Sequence, residues 1–119
     1  MSTQKYDQEL LDDVVKKCER IQNEMRWASA EAIEPHIDAL SNLLREAFQI
    51  KPQEIGDDSL TTIAVTLEKK RIFTAKLSEL IEFLVAELED SYGEDDDFES
   101  EYISDVCEGI ATTCKKYVK

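Results

Sequence analysis

Between Leu11 and Ala28, six apolar residues (Leu11, Val14, Cys18, Ile21, Met25 and Ala28) recur at spacings of three, four, three, four and three. A helix with 3.6 residues per turn puts all six on one face, whereas a strand would divide them between its two sides. The spacing predicts one long helix over residues 3–28. Leu10, Val15 and Trp27 widen the stripe beyond a coiled-coil seam, so the helix should pack in a globular bundle. Asp12, Asp13, Lys16, Lys17, Glu19 and Arg20 fill the outer face with mixed charge, which gives ordinary i to i+4 pairs.

The same period returns along the chain. Ile37, Leu40, Leu44 and Ala47, with Leu43 and Phe48 alongside, predict a second helix over residues 34–49, and Pro35 is tolerated in a first turn. Pro52 and Gly56 punctuate a loop, after which Asp57, Asp58 or Ser59 can accept a free backbone N–H of the next helix, with Asp58 the expected cap. Residues 59–73 carry two patterns. Ile63, Val65 and Leu67 alternate as a strand would, and Leu60, Ile63, Ala64 and Leu67 share one helical face. A lone hairpin in a helical chain has no strands to pair with, so the helix is preferred. Phe73, Leu77, Leu80, Ile81, Leu84, Val85 and Leu88 define a helix reaching residue 91, expected to be the most buried element. Gly93 should end it, and Asp97 should cap a last helix bearing Phe98, Tyr102, Ile103, Val106, Ile110, Cys114 and Tyr117. The expectation is one all-α domain over residues 1–119, a bundle of four or five helices with a long N-terminal helix. A chain of 119 residues buries about two-thirds of its unfolded surface, enough for a core without disulfides or structural metal.

Charge is distributed less evenly than apolarity. Residues 77–114 hold 13 of the 27 acidic residues and none of the 14 basic ones, so the rest of the chain is neutral and the whole net charge of −13 belongs to this stretch. Its densest part is Glu94, Asp95, Asp96, Asp97, Glu99 and Glu101, interrupted by Phe98 and followed by Tyr102. A solvated surface that keeps the protein dissolved is the plainest reading of such a run. The alternative is a docking surface, because uncompensated carboxylates repel one another and a basic partner both relieves that repulsion and is steered by the field.

Several classes of function are disfavoured by the same residues. An acidic chain is repelled by phosphate backbones and anionic lipid, so neither direct nucleic-acid binding nor membrane binding is expected. The longest apolar stretches fall far short of the roughly 20 residues that cross a bilayer, and residues 1–6 are polar, so the chain should remain in the cytoplasm. Cys18, Cys107 and Cys114 form no Cys-x-x-Cys pair and fit reduced, buried thiols. His36 is the single histidine, and its place after Pro35 at a helix start gives it no catalytic partner by pattern. A calcium loop counted from Asp95 would need glycine and glutamate where Ser100 and Val106 stand. Gly56, Gly93 and Gly109 make no phosphate-cradling motif. The sequence therefore points to no catalytic residue, cofactor or metal.

One stretch resembles a known family. Residues 43–60, reading LLREAFQIKPQEIGDDSL, resemble the first helix and following loop of acyl carrier proteins, and Asp58-Ser59-Leu60 matches the tripeptide whose serine carries phosphopantetheine there. The resemblance implies Ser59 as an attachment residue. The tripeptide comes about a helix-length too early after Lys51-Pro52, and the long first helix has no counterpart in a minimal carrier.

The reading taken from the sequence is a non-enzymatic, cytoplasmic, helical protein of the inhibitor, immunity-protein or chaperone type. It would dock on a basic protein partner through Glu94, Asp95, Asp96, Asp97, Phe98, Glu99, Glu101 and Tyr102. The alternative is a structural homodimer paired through the N-terminal helical seam; a carrier-like domain is the third option.

Overall fold

Asp7 starts the first helix: its side chain accepts the Leu10 N–H at 3.1 Å, answering one of the donors that a helix N-terminus leaves open. The structure, a computed structural model, describes residues 6–25, 28–51, 53, 56, 59–91 and 101–118. Within them run α1 (Gln8–Glu24), α2 (Ala30–Ala47), α3 (Leu60–Lys69), α4 (Ala75–Ser91) and α5 (Glu101–Lys115), with no strand. The chain is an all-α bundle, with five helices among the described residues, in line with the four or five that the apolar spacing predicts.

Each helix packs on its neighbours in sequence, and α5 closes the ring by packing on α1. The two lie antiparallel, pinned at both ends: Gln8 Nε2 donates to the Tyr117 carbonyl at 2.9 Å and Gln22 Nε2 to the Ser104 carbonyl at 3.1 Å. Between these pins Leu11, Val14, Cys18 and Ile21 are 0–1 % exposed, in one core with Ile103, Val106, Cys107, Ile110 and Cys114. Leu11, Val14, Cys18 and Ile21 of the seam are thus packed inside the chain, while Met25 and Ala28 at its end are half-buried. Near the pin at Gln8, Tyr6, Phe48 and Tyr117 meet edge to face, with ring centroids 4.9–5.6 Å apart, the geometry favoured by aromatic quadrupoles.

Several boundaries differ from the sequence reading for identifiable reasons. The first helix stops at Glu24 rather than residue 28, because the chain must leave it in time for Ser29 to cap α2, where Ser29 Oγ accepts the Ala32 N–H at 3.2 Å. Pro35 consequently lies inside α2 instead of in its first turn. Pro35 and Glu31, whose carbonyl loses its partner, are both exposed, so water can satisfy that carbonyl. The cap of α3 is Ser59, not Asp58: its Oγ accepts the Thr62 N–H at 3.2 Å and donates to Thr62 Oγ1 at 3.0 Å. Asp57 and Asp58 lie outside the described residues, as do Gly93 and the expected cap Asp97. The helical alternative for residues 59–73 is the one adopted, with Leu60, Ile63, Ala64 and Leu67 all 0–3 % exposed. The most buried element is α5, in which seven of fifteen residues are buried, and not α4, which keeps Phe83 and five carboxylates in solvent.

Two helix ends use the same device without glycine. After α2, Gln49 adopts φ 54° while the Ile50 and Gln49 N–H groups reach back to the Arg45 and Glu46 carbonyls. After α3, Arg71 adopts φ 63° while Ile72 and Arg71 reach back to Leu67 and Glu68. Both are six-to-one and five-to-two closures that place an L-residue in the left-handed region, where its Cβ crowds the following carbonyl. Arg71→Gly should therefore raise stability by about 1 kcal/mol, or about 4 °C in Tm for a chain of this size. Thermal and urea unfolding of the two proteins measure it; an unchanged or lower Tm would refute the strain at Arg71.

Candidate functional site

The acidic segment is anchored in the bundle by its apolar stripe and turned outward by its charges. On α4, Leu77, Ile81, Leu84 and Leu88 face the core, leaving Glu79, Glu82, Glu87, Glu89 and Asp90 exposed. On α5, Ile103, Val106, Ile110 and Cys114 do the same, leaving Glu101, Asp105 and Glu108 outside. The two helices pack against each other, so the surface they expose carries eight carboxylates, with Glu79 and Glu82 on the α3 side of α4 and Asp105 and Glu108 along the α4–α5 side. Lys76 is the one base on the exposed part of α4, and it reaches Glu79 at 4.0 Å with both side chains largely in solvent, an arrangement worth little. Among the described residues no ion pair involves Glu82, Glu87, Glu89, Asp90, Glu101, Asp105 or Glu108.

An aromatic pair sits within this acidity. Phe83 is 44 % exposed and lies stacked on Tyr102, with centroids 5.7 Å apart and planes 26° from parallel. The stack joins α4 to the first turn of α5 and presents a flat apolar patch edged by carboxylates. A phenylalanine left 44 % exposed gives up part of the roughly 1.5–3 kcal/mol that full burial of the ring contributes. Val65, 39 % exposed, flanks the opposite edge of α4 above a recess of about 230 Å³ lined by Glu68, Ser78, Glu79 and Glu82.

Of the residues expected to form the docking surface, Glu101 and Tyr102 belong to this face. Glu94, Asp95, Asp96, Asp97, Phe98 and Glu99 lie outside the described residues. Phe83 was not among the expected residues. Its signal in the sequence is that it falls off the Leu77, Ile81, Leu84, Leu88 stripe: a large aromatic placed where that helix should be polar.

The remaining chemically versatile groups are occupied structurally. Cys18 and Cys107 are both 0 % exposed, and the neighbouring Cys107 thiol together with burial holds the Cys18 thiol well above the ordinary range. Burial pushes Cys114 up to about 12. A neutral buried thiol is a poor nucleophile. His36 Nδ1 accepts from Lys17 Nζ at 2.8 Å, and burial together with the Lys17 and Arg20 charges lowers its pKa. Ser59 is used as a helix cap. Among the described residues no group of three or more His, Cys, Asp or Glu could hold a metal ion. Nor is any helix there long and apolar enough to cross a membrane. Comparison of the chain with known protein families, with curated proteins and with solved structures gives no match.

Two outcomes follow from these contacts. Because the folded imidazole binds its proton less readily than the unfolded one, its contribution to stability is complete above the ordinary value near 6.5 and declines as pH falls below it. The NMR titration midpoint of His36 should lie below that value and move up in Lys17→Met; an unshifted midpoint, or no response to the substitution, would contradict the contact. Ser78 is 8 % exposed, and its buried Oγ has no hydrogen-bond partner among the described residues. Ser78→Ala removes an unpaired buried hydroxyl and improves helix propensity, so unfolding should show a gain of about 1 kcal/mol. A loss would mean the hydroxyl is bonded in solution.

Proposed function

We propose that this chain is a non-enzymatic binding protein of the inhibitor, immunity-protein or chaperone type, which docks on and masks a basic surface of another protein through the outer face of α4 and α5. The observation that carries the reading is the Phe83–Tyr102 stack, with Phe83 44 % exposed among carboxylates of which, in the described residues, only Glu79 has an ion pair. Solubility alone accounts for the acids. It does not account for a large aromatic ring left partly exposed among them, where a binding surface would place an anchor.

The two components have separable tasks. Carboxylates at the rim act over roughly the Debye length, about 8 Å at physiological salt, and accelerate encounter with a positively charged partner. They add little once contact is made, since exposed ion pairs contribute only about 0–1 kcal/mol each. A desolvated aromatic anchor does the reverse: it leaves the encounter rate almost unchanged and slows dissociation. Arginine suits both, because its guanidinium can pair with a carboxylate while lying over an aromatic face.

The test begins with affinity capture from the source lysate at low and moderate salt. It compares the native chain with one carrying Glu79→Gln, Glu82→Gln, Glu101→Gln, Asp105→Asn and Glu108→Gln together, and with Phe83→Ser. A basic protein retained by the native chain is then purified and its kinetics measured. Neutralising the acids should lower the association rate by about tenfold and flatten its salt dependence. Phe83→Ser should raise the dissociation rate by a similar factor with little effect on association. Capture of the same proteins by all three chains, or kinetics that respond to neither change, would refute the reading.

A further inference from the structure

The surface between α4 and α5 has a shape as well as a charge. Beside the aromatic stack runs a groove of about 440 Å³ with Leu77, Leu80 and Gly109 at its base and Asp105, Glu108 and Thr112 along the α5 side. Gly109 lets α4 come close here: a Cβ there would stand 2.6 Å from Leu77 Cδ1, so a larger residue would push the Leu77 side chain aside. Leu80 is half-buried and Gly109 accessible, so the base of the groove is apolar and reachable from solvent. Lys116 lies at the end of the groove away from Tyr102.

The dimensions limit what fits. Tyr102 precedes Gly109 by seven residues, two turns of α5 or about 10 Å along its axis. A partner helix laid along the groove would present residues i, i+3 or i+4, and i+7 over the same length. Its apolar side chains would meet the Phe83–Tyr102 stack at one end and Leu80 and Gly109 further on. Its flanking positions would face Asp105 and Glu108, which have no ion pair among the described residues. Charge complementarity therefore requires lysine or arginine there, and Lys116 sets the end at which the partner's positive charge should stop.

Resting on the docking reading above, we propose that the element received by this face is a single amphipathic basic helix of the partner, with two turns of apolar side chains seated in the α4–α5 groove beside Phe83 and Tyr102. The charged surface alone would accept any cationic segment. The groove and stack add a requirement for apolar residues at helical spacing.

Two synthetic peptides of about 18 residues and identical composition separate the two requirements. One places leucines at i, i+4 and i+7 with arginines on the flanks; in the other the leucines are scattered around the helix. Titrated by fluorescence anisotropy at physiological salt, the amphipathic peptide should bind about tenfold more tightly and gain helical circular dichroism on binding. Phe83→Ser and Thr112→Trp, both at exposed positions, should each remove most of that preference by deleting the anchor and filling the groove. Equal binding of the two peptides, or a preference that survives both substitutions, would overturn the helix-in-groove proposal while leaving charge-directed docking intact. Binding of neither peptide would count against both.

Discussion

The packing of α5 against α1 is the interaction on which the rest of the molecule depends. The helices of the ring otherwise pack on their neighbours in sequence, whereas this pair brings together segments about 90 residues apart, and without it α5 has only α4 to cover its apolar face. Side-chain identity explains how closure is achieved. Small Cys18 and Cys107 meet at the centre, which lets the helices approach, and larger Leu11, Ile21, Ile103 and Ile110 fill the space on either side. The two glutamine-to-carbonyl bonds then set the register that apolar contact alone would leave loose.

Closure has to overcome the charge that α4 and α5 carry. Full burial of Ile103, Val106 and Ile110 contributes roughly 1.5–3 kcal/mol each, before the half-buried residues are considered. Like charges one turn apart on a helix surface oppose folding by only a few tenths of a kcal/mol per pair. The apolar term wins, and the face stays formed while strongly acidic. The same comparison explains why this charge serves recognition better than it serves architecture: it costs the fold little, yet it acts at a distance on whatever approaches.

The helical bundle was legible because apolar spacing is set by helix geometry and every core stripe obeys it, from Leu11 through Ile110. Residues 60–67 were ambiguous because β-branched threonine and valine also suit a strand, and only the burial of Leu60, Ile63, Ala64 and Leu67 on one side decides between the two. Caps and ends were less legible, since several neighbouring Asp and Ser residues can each serve as a cap. The closures at Gln49 and Arg71 carry no glycine to announce them. Of the docking face, its acidity and Tyr102 could be read directly. Phe83 could not, because its partner in the stack is 19 residues away and such pairings follow from tertiary placement. The close approach of Gly109 to Leu77 follows likewise from tertiary placement.

The acidic face is a preformed surface only if α5 is an integral part of the bundle despite its charge, and native-state hydrogen exchange tests this most directly. If closure on α1 holds the acidic face rigid, the amides of residues 106–114 should be as protected as those of residues 14–21, and both should exchange only through global unfolding. Exchange of the α5 amides through a separate opening, tens of times more frequent than that of α1, would show that α5 detaches independently and that the face it shares with α4 is not a preformed surface.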